Sequence, residues 1–414
     1  MRNVAATASI ALLLLSAAPY AAAQEDAPGN EASTSSSPIR TEAPDTDDCP
    51  FAELPEPAIT TSERLAPGQA APTPLPPVAT ANCGVSAPED FRVDKDVVAS
   101  AWMVSDIDTG EIIAMKDPNG RYRPASIIKA LLALVAIDEL PLDKKVHTTM
   151  EDASVEGSAV GIGPDTDYTV EQLLQGLLMA SGNDAAHALA QALGGDEVAL
   201  RKVNALAKKL GTQSTYAASY SGLDAPGMST SAEDISLIYQ AAFHNPTFAR
   251  LVNTEHVEFP GWGEMPGYQL WNDNRLYLED PDGIGGKTGY TEDAHHTFVG
   301  ALDRGGRRLQ AVILNTTVEH GPRAWQQAQM LLHEAYEVPE GHGVGMLADA
   351  AAPPTTTVPP TPTPAPAPSS TVAAEASPEA PSRLGNIEGW VGWVIAALVG
   401  VALIAGAGAS LLRR

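Results

Sequence analysis

The 414 residues include only two cysteines, Cys49 and Cys83, and few aromatics, 5%. Basic side chains are scarce too, 25 Lys and Arg against 51 Asp and Glu. Two lone thiols with no histidine beside them are a poor metal site. A formal net charge of −26, with no basic cluster before the last two residues, excludes nucleic acid as a partner, because phosphate binding needs clustered cations. Sparse aromatics and abundant Ala, Pro and Thr point to an ordered core with unstructured segments around it. There is no internal repeat.

Long apolar runs are few, and each has a meaning. Arg2 precedes an apolar stretch, Val4 to Ala18, and "AAAQ" ends it with an Ala-x-Ala site after Ala23. Residues 1–23 are therefore expected to be an export signal. At the other end, Trp390 to Leu412 carries no charge. As a helix it would span about 34 Å, enough for a bilayer core. Trp390 and Trp393 would sit at the interface, and Arg413–Arg414 would form a cytoplasmic tail. The protein is thus expected to be exported and then held by its C-terminal helix, with the rest of the chain before it outside. Residues 348–386, rich in Pro, Ala and Thr, would be a stalk reaching on the order of 100 Å. In an oxidising exterior Cys49 and Cys83 are expected to form one disulfide. That bond would strap a Pro-rich arm, residues 49–90, behind an unstructured linker, residues 24–48.

Globular patterning occupies residues 91–340. "ASAWMVSDIDTGEIIAMKD" predicts a β-hairpin turning at Asp108–Thr109–Gly110. Helical patterns fill the middle, in "TVEQLLQGLLMASGNDAAHALAQAL", "EVALRKVNALAKKLG" and "SAEDISLIYQAAF". Strands return in "GIGGKTGYT", "HHTFVGALDRG" and "RRLQAVILNTT", before a last helix, "RAWQQAQMLLHEAY". Strands at both ends with helices between them predict an α+β domain: an antiparallel sheet flanked by helices, plus a helical lobe.

"RPASIIKALLALVAIDEL" carries the chemistry. Pro124 suits the first turn of a helix, and from Ala125 to Ile137 only Ser126 and Lys129 interrupt the small and apolar residues. Such a helix is buried on every side, so the amine is buried with it. Residues three apart share a face, and burial together with the helix dipole disfavours the ammonium form. A neutral Lys129 could take the Ser126 proton, the logic of an activated nucleophile. "ASGNDAA" puts Ser181 and Asn183 in a loop between helices, where a hydroxyl could relay a proton and an amide could hold a peptide; an N-cap role is the ordinary alternative. "GIGGKTGYT" puts Lys287, Thr288 and Gly289 on a strand, where Gly lets a substrate approach and Lys and Thr can face a carboxylate.

In this order, Ser126-x-x-Lys129, Ser181-x-Asn183 and Lys287-Thr288-Gly289 resemble the penicillin-recognising serine enzymes. "SGND" and "KTGYT" are most similar to the low-molecular-mass penicillin-binding proteins, the serine-type D-Ala-D-Ala carboxypeptidases, and the resemblance runs from Phe91 to Tyr336. It implies a penicillin-binding/β-lactamase-like transpeptidase fold. It further implies Ser126 as the acylated nucleophile, Lys129 as its base, Ser181 as proton relay and Asn183 orienting the peptide. Lys287 and Thr288 would bind the terminal carboxylate. The backbone N–H groups of Ser126 and Tyr290 would form an oxyanion hole. Peptidoglycan pentapeptides and β-lactam antibiotics are the implied partners, and no metal or organic cofactor is called for.

Three departures stand out. The family often carries Asn-Arg-Asn before the third motif, its Arg aimed at the terminal carboxylate; here the triplet is Asn272-Asp273-Asn274, followed by Arg275. Either Arg275 takes that role from a shifted position, or carboxylate binding is weaker or differently specific. The usual Ala-Gly after the third motif is Ala294-His295, and the adjacent His295 and His296 would point to opposite faces of a strand, a poor chelate. The second β-rich domain of many relatives is replaced by the stalk. A D,D-endopeptidase is the nearest alternative. A β-lactamase is another, although no Glu-x-x-x-Asn lies between Asn183 and Lys287 to activate a deacylating water. A silent wall-binding module is the third, and it has no need for a lysine buried beside a serine.

Overall fold

The computed structural model describes residues 40–78, 82–318 and 321–347. The export signal, the stalk from residue 348, the spanning helix at 390–412 and the tail lie outside these residues. Among the described residues no helix is long and apolar enough to cross a membrane.

The sheet opens with β1 (Val85–Ser86) and the hairpin of β2 (Ala101–Asp106) and β3 (Glu111–Lys116). Asp106 Oδ1 closes the hairpin turn by accepting the amides of Asp108 (2.9 Å) and Thr109 (2.8 Å). A 3₁₀ turn, Ala125–Ile128, runs directly into α1 (Lys129–Glu139). Then come β4 (Lys145–Thr148), α2 (Met150–Ala153), β5 (Thr166–Thr169) and α3 (Val170–Met179). The helical lobe continues with α4 (Asn183–Ala192), α5 (Asp196–Lys209), α6 (Ala232–His244) and α7 (Pro246–Val252). A small hairpin, β6 (His256–Phe259) and β7 (Tyr268–Trp271), precedes α8 (Arg275–Glu279). The chain ends with β8 (Gly283–Thr291), β9 (His295–Arg304), β10 (Arg307–Thr316), α9 (Ala324–Glu337) and β11 (Gly345–Met346).

The main sheet is antiparallel, in the order β1-β3-β2-β10-β9-β8, with β11 also pairing β3. It is buried on both faces, and side-chain alternation divides its residues between two cores. Ala101, Met103, Val299, Ala301, Val312 and Leu314 face the helical lobe and α1. Trp102, Val104, Phe298, Leu302, Leu309 and Ile313 face α9, which covers the opposite side with Ala328, Leu331, Leu332 and Ala335. In α1 every residue from Lys129 to Ala136 is buried. Each of its leucines contributes about 1.5–3 kcal/mol of burial energy, enough to hold one costly polar group in place.

Two expectations change at the edges. The unstructured linker was drawn to residue 48, yet from Arg40 the chain is tied to the domain. Arg40 donates to Ser100 Oγ (2.9 Å) and to the Asn315 carbonyl (2.7 Å), and buried Thr46 donates to the Cys83 carbonyl (2.7 Å). Local composition could not report these bonds, whose acceptors lie far along the chain. The sheet likewise takes in β1 and β11, outside residues 91–340. Cys49 and Cys83 are disulfide-bonded. The arm between them lies over the domain: Glu63 pairs with buried Arg123 (2.7 Å), and Asp293 accepts the Ile59 and Thr60 amides and the Thr60 and Ser62 hydroxyls.

Candidate active site

Ser126 sits on the 3₁₀ turn rather than in the α-helix its surroundings predict. Ala125, just before it, has φ +49°, a left-handed conformation costing a non-glycine residue about 1–2 kcal/mol. Neighbours hold this turn in place. Thr297 on β9 donates to the Pro124 carbonyl (2.8 Å), and Tyr239 on α6 donates to the Ile127 carbonyl (2.9 Å). Two glycines allow the close approach. A Cβ on Gly222, whose φ is +87°, would lie 2.0 Å from the Ala125 carbonyl oxygen. One on Gly289 would lie 2.3 Å from Thr297 Oγ1 and 3.0 Å from the Ser126 nitrogen. The third motif therefore presses its backbone directly against the serine turn, on the edge strand β8.

Lys129 is fully buried. Its Nζ lies 2.7 Å from Ser126 Oγ, 2.7 Å from Asn183 Oδ1 and 2.5 Å from the Ser221 carbonyl oxygen. Burial holds its pKa well below the usual 10.5, and the Lys287 charge pushes in the same direction. The Asn183 amide is oriented by its own Nδ2, which donates to the Glu156 carbonyl (2.7 Å), so Oδ1 faces the amine. Asp184, also fully buried, accepts the backbone amides of Val160, Gly161 and Ile162 and ties down the same loop. The helix cap of α4 is Gly182, with no side-chain cap, so neither Ser181 nor Asn183 serves as an N-cap. Ser181 is 7% exposed, at φ +60°. None of the three short contacts of Lys129 is to Ser181.

Lys287 is fully buried on β8. Its Nζ donates to the Thr288 carbonyl (2.9 Å) and, at 3.3 Å, to Thr288 Oγ1. Asp273 Oδ2 lies 3.8 Å from the same amine and accepts from Thr288 Oγ1 at 2.9 Å. Burial lowers the Lys287 pKa, while Asp273 opposes that shift. Arg275 does not take up the shifted role considered for it: its guanidinium donates to Glu279 (3.0 Å), one turn along α8. Tyr290 is half exposed, its hydroxyl donating to Glu292 (2.9 Å), with the His296 ring 4.6 Å from its own. His295 instead bonds Asn315 Oδ1 on β10 through Nδ1 (2.8 Å).

The structure thus joins Ser126 and Asn183 through the Lys129 amine, sets Gly289 against the serine turn, and sets Lys287 and Thr288 beside Asp273. Two participants escaped the sequence. Ser221 contributes a backbone carbonyl, which has no side-chain signature. Asp273 was visible only as an unusual residue in its triplet.

Sheet order, helical lobe and this arrangement of three motifs define a penicillin-binding D,D-peptidase fold. The sequence profile of peptidase family S11, the D-alanyl-D-alanine carboxypeptidases, matches residues 85–318, and the chain belongs to that family. D-alanyl-D-alanine carboxypeptidase DacB2 of Mycobacterium tuberculosis is 45% identical over 256 residues, 61% of this chain and 87% of the relative. DacF of Bacillus subtilis is 29% identical over 250 residues, 59% of this chain and 64% of its own. Among solved structures, a D-alanyl-D-alanine carboxypeptidase from Mycobacterium tuberculosis superposes with a TM-score of 0.58 at 39% identity, covering 69% of this chain and 100% of that one.

Proposed function

We propose that the chain is a membrane-tethered serine D,D-carboxypeptidase that removes the terminal D-alanine of peptidoglycan stem peptides through an acyl-enzyme, and that β-lactams acylate the same serine. The observation that carries this reading is the surroundings of Lys129 Nζ. An uncharged amine has two N–H groups and one lone pair. Asn183 Oδ1 and the Ser221 carbonyl carry no hydrogen and can only accept, so they take the two N–H groups. The lone pair is left for the Ser126 hydroxyl, 2.7 Å away. Burial favours this same neutral form.

In the proposed reaction Ser126 Oγ attacks the carbonyl of the penultimate D-alanine and its proton passes to Lys129. The oxyanion is stabilised by the backbone N–H groups of Ser126 and Tyr290, a contribution of about 3–4 kcal/mol per donor. Ser181 relays a proton to the departing nitrogen, the C–N bond breaks, and D-alanine leaves. Water then attacks the ester with Lys129 as base, releasing the shortened peptide and restoring Ser126. Asn183 orients the peptide, and Lys287 with Thr288 engages the terminal carboxylate.

Labelled penicillin is expected to mark the wild-type protein covalently and to leave Ser126→Ala unmarked. Mass spectrometry of muropeptides is expected to show loss of one D-alanine. A folded wild-type protein that takes no label and releases no D-alanine refutes the assignment. Tethering is proposed from the uncharged run Trp390 to Leu412. Truncation before residue 387 should move the protein from membrane to soluble fractions.

A further inference from the structure

The geometry of the Asn272-Asp273-Asn274 triplet carries a consequence for which substrates the cleft accepts; this rests on the proposed role of Lys287 and Thr288. The two asparagines are buried and committed to the fold. Asn272 Nδ2 donates to the Val252 and Thr254 carbonyls (3.0 Å each), its Oδ1 accepts the Asn274 amide (3.0 Å), and Asn274 Oδ1 accepts the Tyr277 amide (3.2 Å). The Asp273 amide donates to the Met179 carbonyl (2.8 Å). With its backbone held from three sides, Asp273 is the one member of the triplet that turns outward, 36% exposed. It turns toward the third motif: Oδ2 is on Thr288 Oγ1 at 2.9 Å and 3.8 Å from Lys287 Nζ. These are the two groups to which the terminal carboxylate of a stem peptide would have to bind. A carboxylate of the protein's own is already there. Arg275, which could have offset it, is bonded to Glu279.

Electrostatics gives the sign. Lys287 and Asp273 together are close to neutral, so a leaving residue that ends in a free carboxylate adds an uncompensated negative charge beside Asp273. A leaving residue whose α-carboxyl is an amide adds none, and its N–H can donate to Asp273. We propose that Asp273 is a specificity residue: it disfavours a free terminal carboxylate, so the cleft takes D-Ala–D-residue bonds whose leaving residue is amidated or continues into further chain at least as well as those that end the peptide.

The test uses the full chain and two probes, an N-acylated peptide ending in D-Ala-D-Ala as the free acid and the same peptide as its C-terminal carboxamide. Both yield the same acyl product, quantified by mass spectrometry. Wild type is expected to show kcat/KM for the amide equal to or above that for the acid. Asp273→Asn and Asp273→Ala are expected to shift the ratio toward the acid by about tenfold or more, as removal of a like charge a few ångströms away implies, chiefly through KM for the acid. A wild-type preference for the acid above tenfold overturns the proposal even if neither variant folds. So does an unchanged ratio in a variant that melts like wild type and still takes penicillin label. A wild type that cleaves neither probe and is not labelled at Ser126 fails the peptidase reading itself, and this proposal with it.

Discussion

The neutral state of Lys129 can be tested without any substrate. Lys129→Met keeps a long unbranched side chain and removes the amine. It leaves Asn183 Oδ1 and the Ser221 carbonyl without their partner, a loss of about 1–3 kcal/mol for each orphaned acceptor. Against that stands relief from burying an ionisable group, so the stability difference at one pH mixes two effects. Its pH dependence does not, because the orphaned acceptors do not titrate. Burial depresses the folded pKa of Lys129 well below 10.5, the ordinary value that the unfolded chain keeps. Between the folded pKa and 10.5 the unfolded chain binds one more proton than the folded chain. Wild-type stability therefore rises with pH through that window, is complete above 10.5, and is lost as pH falls to the folded value. The variant lacks this contribution, and the other titrating groups cancel in the comparison because a neutral amine exerts no net charge on them. Guanidinium unfolding of both proteins from pH 6 to 10 should show wild type gaining on the variant by up to about 1.4 kcal/mol per pH unit. Parallel stability curves would mean that Lys129 is charged in the fold, and its role as base would have to be abandoned.

The serine turn and the strap give two further expectations. Gly222→Ala would place a methyl group 2.0 Å from the Ala125 carbonyl oxygen at φ +87°. It should displace the Ser126 turn and slow penicillin acylation by about 10²-fold, with a melting curve that still shows one cooperative transition; acylation at the wild-type rate refutes the close packing. Replacing both Cys49 and Cys83 by Ser opens a loop with a sequence separation of 34. Chain-entropy arguments put the loss at about 3.5–4 kcal/mol, measurable by chemical denaturation, and a loss below about 1 kcal/mol would show that the arm's bonds to Arg123 and Asp293 already hold it without the cross-link.

Much of the fold could be read along the chain because its signals are local and strong. The hairpin at Asp108–Thr109–Gly110, the helices of the middle and the three late strands all lie where their periodicity places them, since strand alternation and helical stripes act over a few residues. The weaker edges went unread: Arg40 to Asp48 and the two-residue strands β1 and β11 are held by distant partners and have no pattern of their own. At the site the residue types were legible and their bonds were not. Ser126 was expected in an α-helix and lies in a 3₁₀ turn. Asn183, rather than Ser181, accepts from the buried amine. Arg275, a candidate for the terminal carboxylate, is turned toward Glu279.

Between Ala125 and Ala136 only Ser126 and Lys129 are polar, so wherever the turn and the helix that follows it pack, the amine goes inside with them. That much follows from composition and order alone. Which acceptors meet the amine depends on groups 54 and 92 residues away. That Asp273 turns toward Thr288 depends on two asparagines tied to neighbouring loops. Such contacts are set only when the lobe closes on the sheet, because a hydrogen bond is made by position and direction in space, which separation along the chain does not encode.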